Sequence, residues 1–385
     1  MKLPLGYRYS AIYAGIRKVL RDDVALIVSD QPAAAAAVFT QNQVAAAPVA
    51  IAKRNLRVSR GRARALLVNA GNANCATRTG ERVAIECVMA AAKAIGAKPE
   101  EVLPASTGVI GVEMNGSLIV NAMSKLVDTL DAARFDDAAL AILTTDTRAK
   151  TAFAEVRDAR IAGMTKGSGM IHPRMATTLG FVMTDAEISA PALRRMLKRA
   201  IEKSYNRISV DGDTSTNDMV AVLANGASRA KVSPKAFEAA LTEVVESLAV
   251  QIVRDGEGAR KLIIIEVNGT ASDAAAEKIA RAIANSPLVK TAIAGSDPNW
   301  GRILSAAGNS GAAFDPRRID IELQATPVCR AGLAADFEEG ELKKKLDEKD
   351  CLIRFVIRGR AKGRARFWTC DFTEDYIRIN ASYRT

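Results

Sequence analysis

Histidine is almost missing from this chain: His172 is the one imidazole in 385 residues. A His-rich metal site is thereby excluded, and no metal centre is expected. A Ser-His-Asp triad would have to use His172 itself, which lies beside Pro173 in a glycine-rich loop. An imidazole in such a loop serves more often as a local hydrogen-bond donor than as a base, so a different base is expected. Cysteine is scarce as well. The five residues Cys75, Cys87, Cys329, Cys351 and Cys370 are odd in number and scattered, without a CxxC pair. That usage fits reduced thiols in a cytosol rather than a disulfide framework. No apolar run approaches the roughly 20 residues of a membrane span. The start, "MKLPLGYRYSAIYAGIRKVLRDD", lacks the basic, apolar and small-residue layout of a signal peptide. A soluble, cytoplasmic protein is expected.

Aromatics make up 5% of the chain and apolar residues 49%, the balance of an alanine-rich α/β protein with ample core. The net charge of +11 suits an anionic partner or an acidic small substrate. Basic residues mix with aromatics mainly in "RFVIRGRAKGRARFW". That segment reads as a hairpin with Arg358, Arg360, Lys362, Arg364 and Arg366 about a solvated tip.

Short apolar runs punctuated by turn residues predict strands at "DVALIVSD" (23–30), "AAAVFT" near Phe39 and "ALLVNAG" (65–71). Helical spacing predicts three helices. The first has Val83, Cys87, Ala90 and Ala94 along one face and stops at Gly96. The second buries Leu193, Met196, Leu197, Ala200 and Ile201, with Pro191 in its first turn. The third starts at Ser233–Pro234 and buries Phe237, Leu241, Val244, Leu248 and Ile252. A strand "KLIIIEVNG", a helix at "DAAAEKIARAIANS" and strands "DIELQA" and "CLIRFVIRG" follow, before the ending "FTEDYIRINASYRT". No GxGxxG opens a helix after a strand. The fold class is mixed α/β, with a smaller C-terminal α+β domain from about 285 to 385.

Seven segments hold more small polar residues than a core requires: "NAGNANCATRTG", "PASTGVIG", "TTDT", "TKGSGMIHPRMATT", "SVDGDTSTND", "RDGEGARK" and "GSDPNWGR". Each alone reads as a turn; together they suggest a polar pocket. In the fourth, Thr177 and Thr178 follow a lysine-led glycine loop and precede an apolar run. The plain reading is a loop-to-strand junction. The chemical reading is a nucleophile. A threonine hydroxyl needs a base, and cleavage of the Ala176–Thr177 bond would supply one. The α-amine released on the same residue has a pKa of about 7.7–8.0, suited to general-base work near neutrality.

"TKGSGMIHPRMATTLGF" resembles the signature of the ornithine acetyltransferase (glutamate N-acetyltransferase) family of arginine biosynthesis. "NAGNAN", "STGVIG", "TTDT", "VDGDTSTND", "GEGA", "DPNWGRI" and "IRINASYRT" follow in the family's order along the chain. The resemblance implies a layered α/β/β/α core and a precursor that cuts itself between Ala176 and Thr177. The products would be an α chain (1–176) and a β chain (177–385), assembled as an α2β2 heterotetramer. It implies ping-pong acetyl transfer from N-acetylornithine to glutamate through Thr177, with Thr107 and Gly108 as the oxyanion hole. Substrate contacts carried over are Thr145, Lys166, Thr177, Glu257, Asn380 and Thr385. No cofactor is implied; acetyl-CoA is a candidate co-substrate. Taken singly, "STGVIG" reads as a turn, Lys166 as solvent-exposed and Glu257 as a helix-end residue. Three departures stand out: Thr178 occupies a position where the family commonly has methionine, "NCATRTG" differs from the more usual run after the asparagines, and Ser382 stands where an acidic residue is common. The nearest alternative is a self-cleaving N-terminal-nucleophile aminopeptidase or amidohydrolase of the same fold, which would use a serine at position 177 and release free acid. A basic nucleic-acid-binding protein is the non-enzymatic one.

Overall fold

The computed structural model describes residues 2–172 and 178–381. They divide into two compact units, one drawn from Met1–Asn206 with Asp213–Ile252, the other from Arg207–Gly212 with Val253–Tyr383.

The first unit is built on eight strands: β1 (Tyr7–Ile12), β2 (Val24–Phe39), β3 (Arg62–Asn72), β4 (Val102–Val109), β5 (Lys150–Val156), β6 (Ala159–Lys166), β7 (Leu179–Thr184) and β8 (Met219–Ala224). Their order is β4-β3-β2-β8-β7-β6-β5, with β1 also on β2. The runs expected at 23–30 and near Phe39 are one strand of 16 residues. Its first half pairs with β1 and β3 and its second half with β8. The pairing with β3 shifts register between Val28 and Ala33, around exposed Asp30, Gln31 and Pro32. Proline gives no ladder donor, so it is tolerated where pairing breaks. The β3–β4 and β7–β8 pairs are parallel. Each needs a crossover, supplied by the helices Gly80–Ile95 and Ala190–Lys203.

Alternate residues along β3 serve two cores. Leu66 and Val68 share one cluster with Ile27, Leu103, Phe135, Met164, Phe181 and Leu223, which come from both halves of the strand order. Ala65 and Leu67 face a second cluster with Leu26, Val83, Cys87 and Leu126, beneath the helices Gly80–Ile95 and Ser117–Asp128. On the β6–β7 side lies the helix Pro234–Arg254. A Cβ added at Gly163 would meet Leu248 at 2.8 Å and Val244 at 3.1 Å. Helices therefore cover this sheet both at its β3 end and at its β6–β7 end. Phe237, Leu241, Val244, Leu248 and Ile252 are all buried, as their spacing predicts. In the helix Gly80–Ile95 the buried face is Val83, Ala84, Cys87, Val88, Ala91 and Ala92, whereas Ala90 is half-buried and Ala94 exposed. Gly96 closes this helix in the left-handed conformation, at φ 63°.

The second unit carries β9 (Leu262–Thr270), β10 (Ile319–Leu323), β11 (Thr326–Arg330), β12 (Leu333–Ala334), β13 (Asp350–Ile357) and β14 (Gly363–Cys370), in the order β12-β11-β10-β13-β9-β14. The expected hairpin is not one. β9 lies between its two arms, parallel to β13 and antiparallel to β14. Ile263, Ile265 and Val267 of β9 pack with Ile279, Ile283, Phe355 and Phe367 in one core. The opposite face is ionic: Glu266 accepts from Arg354 at 3.1 Å and Arg366 at 2.7 Å. Arg358 binds both oxygens of Asp320, at 2.8 and 2.7 Å. Among the described residues no helix is long and apolar enough to cross a membrane. The fold class is mixed α/β, with two mixed sheets.

Candidate active site

The first unit gathers several of the polar segments at the ends of its strands. Thr107 and Gly108 close β4, where the β3–β4 ladder slips around Gly71 and Asn72. Gly108 has φ 130°, and a Cβ there would sit 2.3 Å from the Gly71 carbonyl carbon. Only glycine allows that approach of two backbones. The asparagines of "NAGNAN" hold the loop by satisfying its carbonyls. Asn69 donates to Asn72 O (2.9 Å), Asn72 to Val112 O (3.1 Å) and Asn74 to Gly80 O (2.9 Å).

Lys166 ends β6, is 9% exposed, and donates through Nζ to the Thr107 hydroxyl at 3.3 Å. The plain reading of Lys166 taken singly, as a solvent-exposed lysine, does not hold here, because a strand end carries it inward. Its neighbour Gly167 gives its N–H to Asp146 Oδ1 at 2.6 Å. The other Asp146 oxygen accepts from Thr144 N (2.9 Å), and Lys150 Nζ lies 2.6 Å from Oδ1. The Asp146 and Lys150 side chains are fully buried. Burial alone would push the Asp146 carboxyl up. The charges of Lys166 and Lys150 and the bonds from Lys150 and Gly167 outweigh it and hold the group well below the usual carboxylate range. Asp146 thus ties the "TTDT" loop, in which Thr145 is half-buried, to the lysine-led loop.

Thr178 is 4% exposed, and its hydroxyl donates to the Lys166 carbonyl and lies 3.0 Å from the Thr165 hydroxyl. A hydroxyl so placed is committed to the β6–β7 junction. Ala176 and Thr177 lie outside the described residues, as does Thr385.

The "VDGDTSTND" segment reaches the same place. Asn217 Nδ2 donates to Ala73 O at 2.6 Å and Ser106 O at 2.9 Å, fixing the residue before Thr107. Asp218 follows, 2% exposed. Neither aspartate, nor Asn217, was singled out by sequence: in turn-rich segments an Asx residue that caps its own backbone looks the same as one that binds across the fold.

Within the second unit, Glu257 is 8% exposed and accepts from Asn380 Nδ2 at 2.8 Å. Two predicted contacts 123 positions apart are therefore neighbours. Asn380 sits at the end of the helix Glu374–Asn380. No group of three or more His, Cys, Asp or Glu suited to a metal occurs among the described residues.

The ArgJ family model matches residues 8–385. The arginine biosynthesis bifunctional protein ArgJ of Thermus thermophilus is 49% identical over 389 residues, covering all of both chains. That of Gloeobacter violaceus is 43% identical over 392 residues, covering 99% of this chain and 96% of its own. The crystal structure of ArgJ from Bacillus halodurans matches with a TM-score of 0.51 and 43% identity, covering 53% of this chain and 98% of its own. Matched along nearly its whole length, the chain belongs to the ArgJ family.

Proposed function

We propose that the chain transfers an acetyl group from N-acetylornithine to glutamate in a ping-pong reaction, through an acetyl ester on Thr177 formed after the chain has cut itself before that residue. The acyltransferase class and the place in arginine biosynthesis come with the family, whose relatives carry that pathway in their names. The observation that carries the reading is the convergence of Lys166, Thr107 and Gly108 at strand ends of one unit. Lys166 is eleven positions from Thr177 in the chain. Thr178 supports it by elimination, since its hydroxyl is buried against Lys166 O.

The chemistry follows from these parts. The freed α-amine of Thr177 takes the proton of its own hydroxyl as that oxygen attacks the acetyl carbonyl. The Thr107 hydroxyl and the Gly108 N–H receive the oxyanion, an arrangement in which one donor is worth about 2.7–4 kcal/mol. Lys166 neutralises a substrate carboxylate, and Glu257, oriented by Asn380, pairs with a substrate ammonium. Ornithine leaves, glutamate enters, and the same steps run in reverse. Thr145 and Thr385 complete the proposed contacts. No cofactor takes part; acetyl-CoA is a second donor in keeping with the word "bifunctional" in the relatives' names. Assembly as two α and two β chains in the cytoplasm belongs to the same proposal.

A denaturing gel with N-terminal sequencing tests the first step. The expected result is two fragments, the second beginning Thr-Thr-Leu-Gly, and a Thr177→Ala variant that stays whole. Normal cleavage of that variant would overturn the mechanism. Incubation of the cut enzyme with N-acetylornithine and glutamate should yield N-acetylglutamate. Free acetate in its place would make the protein a hydrolase.

A further inference from the structure

The self-cleavage proposed above has an unfilled requirement. Before the bond is cut, Thr177 has no free amine, so its own base does not yet exist. The hydroxyl must lose a proton, and the departing nitrogen must gain one, by some other group. His172 lies five positions from Thr177, and the lysine nearest in the chain, Lys166, is hydrogen-bonded to Thr107.

Asp218 meets the requirement by position. It immediately precedes β8, whose first residue, Met219, pairs with Leu179 and donates its N–H to Thr178 O at 2.9 Å. The carboxyl group thus lies beside the start of β7 and accepts the Thr178 N–H, the amide that follows residue 177 in the chain. The Ser215 hydroxyl also donates to it, and Lys166 is the charged group that acts on it. Its Oδ2 is buried, with no hydrogen-bond partner among the described residues. A buried carboxyl oxygen without a partner is costly unless it carries a proton or serves a function.

Burial pushes the Asp218 acid well above the ordinary carboxylate range, against the opposing effects of Lys166, Ser215 and the Thr178 amide. Asp146, which also senses Lys166, is driven the opposite way. Two carboxyl groups of one site whose environments push them apart mark an acid and an anion. Asp146 is the anion that holds the loop.

We propose that the Asp218 carboxyl is the proton carrier of self-cleavage, giving a proton to the Thr177 nitrogen as the Ala176–Thr177 bond breaks and receiving the one that the Thr177 hydroxyl loses. The Thr177 oxygen bonds to the Ala176 carbonyl carbon, the C–N bond opens, and the product is an ester with a free Thr177 amine. Water then hydrolyses the ester to the Ala176 carboxylate and the Thr177 hydroxyl. Asp218 ends each cycle as it began. The inference rests on Thr177 being the self-cleaving residue.

The test compares full-length wild type, Thr177→Ala, Asp218→Asn and Asp218→Glu for cleavage over time. Asp218→Asn is expected to cut about 10²- to 10⁴-fold more slowly, the usual worth of positioned acid-base catalysis. Asp218→Glu, which keeps an acid, should cut faster than Asp218→Asn. An Asp218→Asn chain cutting within a few-fold of wild type would overturn the proposal while Thr177→Ala stays whole. Cleavage of Thr177→Ala would instead defeat the underlying reading. A second readout is independent of cleavage. Infrared difference spectra of uncut Thr177→Ala against Thr177→Ala/Asp218→Asn should show a protonated-carboxyl C=O band that is lost in the double variant. Absence of that band at neutral pH would overturn the assignment.

Discussion

The Asp146–Lys150 pair offers the sharpest test of how the lysine-led loop is held. Both side chains are fully buried, and Oδ1 of the carboxylate also holds the Gly167 amide. Replacing Asp146 by Asn keeps an oxygen for Gly167 but leaves the Lys150 ammonium buried beside a neutral group. Breaking a buried pair in this way costs about 3–5 kcal/mol, mostly as the penalty of the stranded charge. For a unit of this size each kcal/mol lowers Tm by about 2–4 °C, so a fall of roughly 6–20 °C is expected. Calorimetry on the uncut Thr177→Ala chain, with and without Asp146→Asn, measures it on one polypeptide. The depressed Asp146 carboxyl also sets the pH dependence. Its contribution is complete above the ordinary carboxylate value of 3.8 and is lost only as pH falls through its lowered value. The difference between the two chains should therefore be the same at pH 5 and pH 7. Adding Lys150→Met removes the stranded charge and should recover most of the loss. A single Asp146→Asn change that moves Tm by less than a degree would refute the account.

Two further predictions concern the proposed site. Thr107→Ala removes an oxyanion donor from a half-buried strand end; kcat should fall about 10²- to 10³-fold with Tm nearly unchanged. A KM rise with constant kcat would instead make Thr107 a ground-state binding residue. Asn380→Ala releases Glu257 from its 2.8 Å partner, and steady-state kinetics should show a higher KM for N-acetylornithine. An unchanged KM would remove the pair from the substrate's recognition.

Where large aliphatic residues recur at helical spacing, sequence and structure agree residue by residue. The stripe from Phe237 to Ile252 is wholly buried. Alanine carries less information. In Gly80–Ile95 the small side chains fit a helix's buried or exposed face equally well, and the face centres on Ala84, Val88 and Ala91 rather than on Ala90 and Ala94. The strand β2 looks like two because Asp30, Gln31 and Pro32 break its apolar pattern at a bend, where side chains meet water. The hairpin fails for a different reason. Local alternation marks β13 and β14 as strands, but nothing local says that β9, about 90 residues earlier, fills the space between them.

The site divides along the same line. Lys166, Thr107 and Gly108 are recognisable because their motifs recur in one order, and the fold then brings them together. Asp146, Asn217 and Asp218 sit in those same motifs, yet a sequence cannot distinguish them from ordinary turn residues. Their identity comes from burial: one carboxyl closed against Lys150, one amide bridging two backbones, one carboxyl oxygen with no partner among the described residues. Desolvation makes such groups costly unless each is matched or used. A buried carboxylate with two bonds to backbone amides and a lysine is matched, and its removal should read out as stability. A buried acid whose second oxygen meets nothing described is not, and its removal should read out as chemistry. The two aspartates lie on one side of the lysine-led loop's problem and the other, so exchanging the assays exposes an error in either assignment. Asp218→Asn should leave Tm within a few degrees while cleavage stalls, whereas Asp146→Asn should lower Tm first.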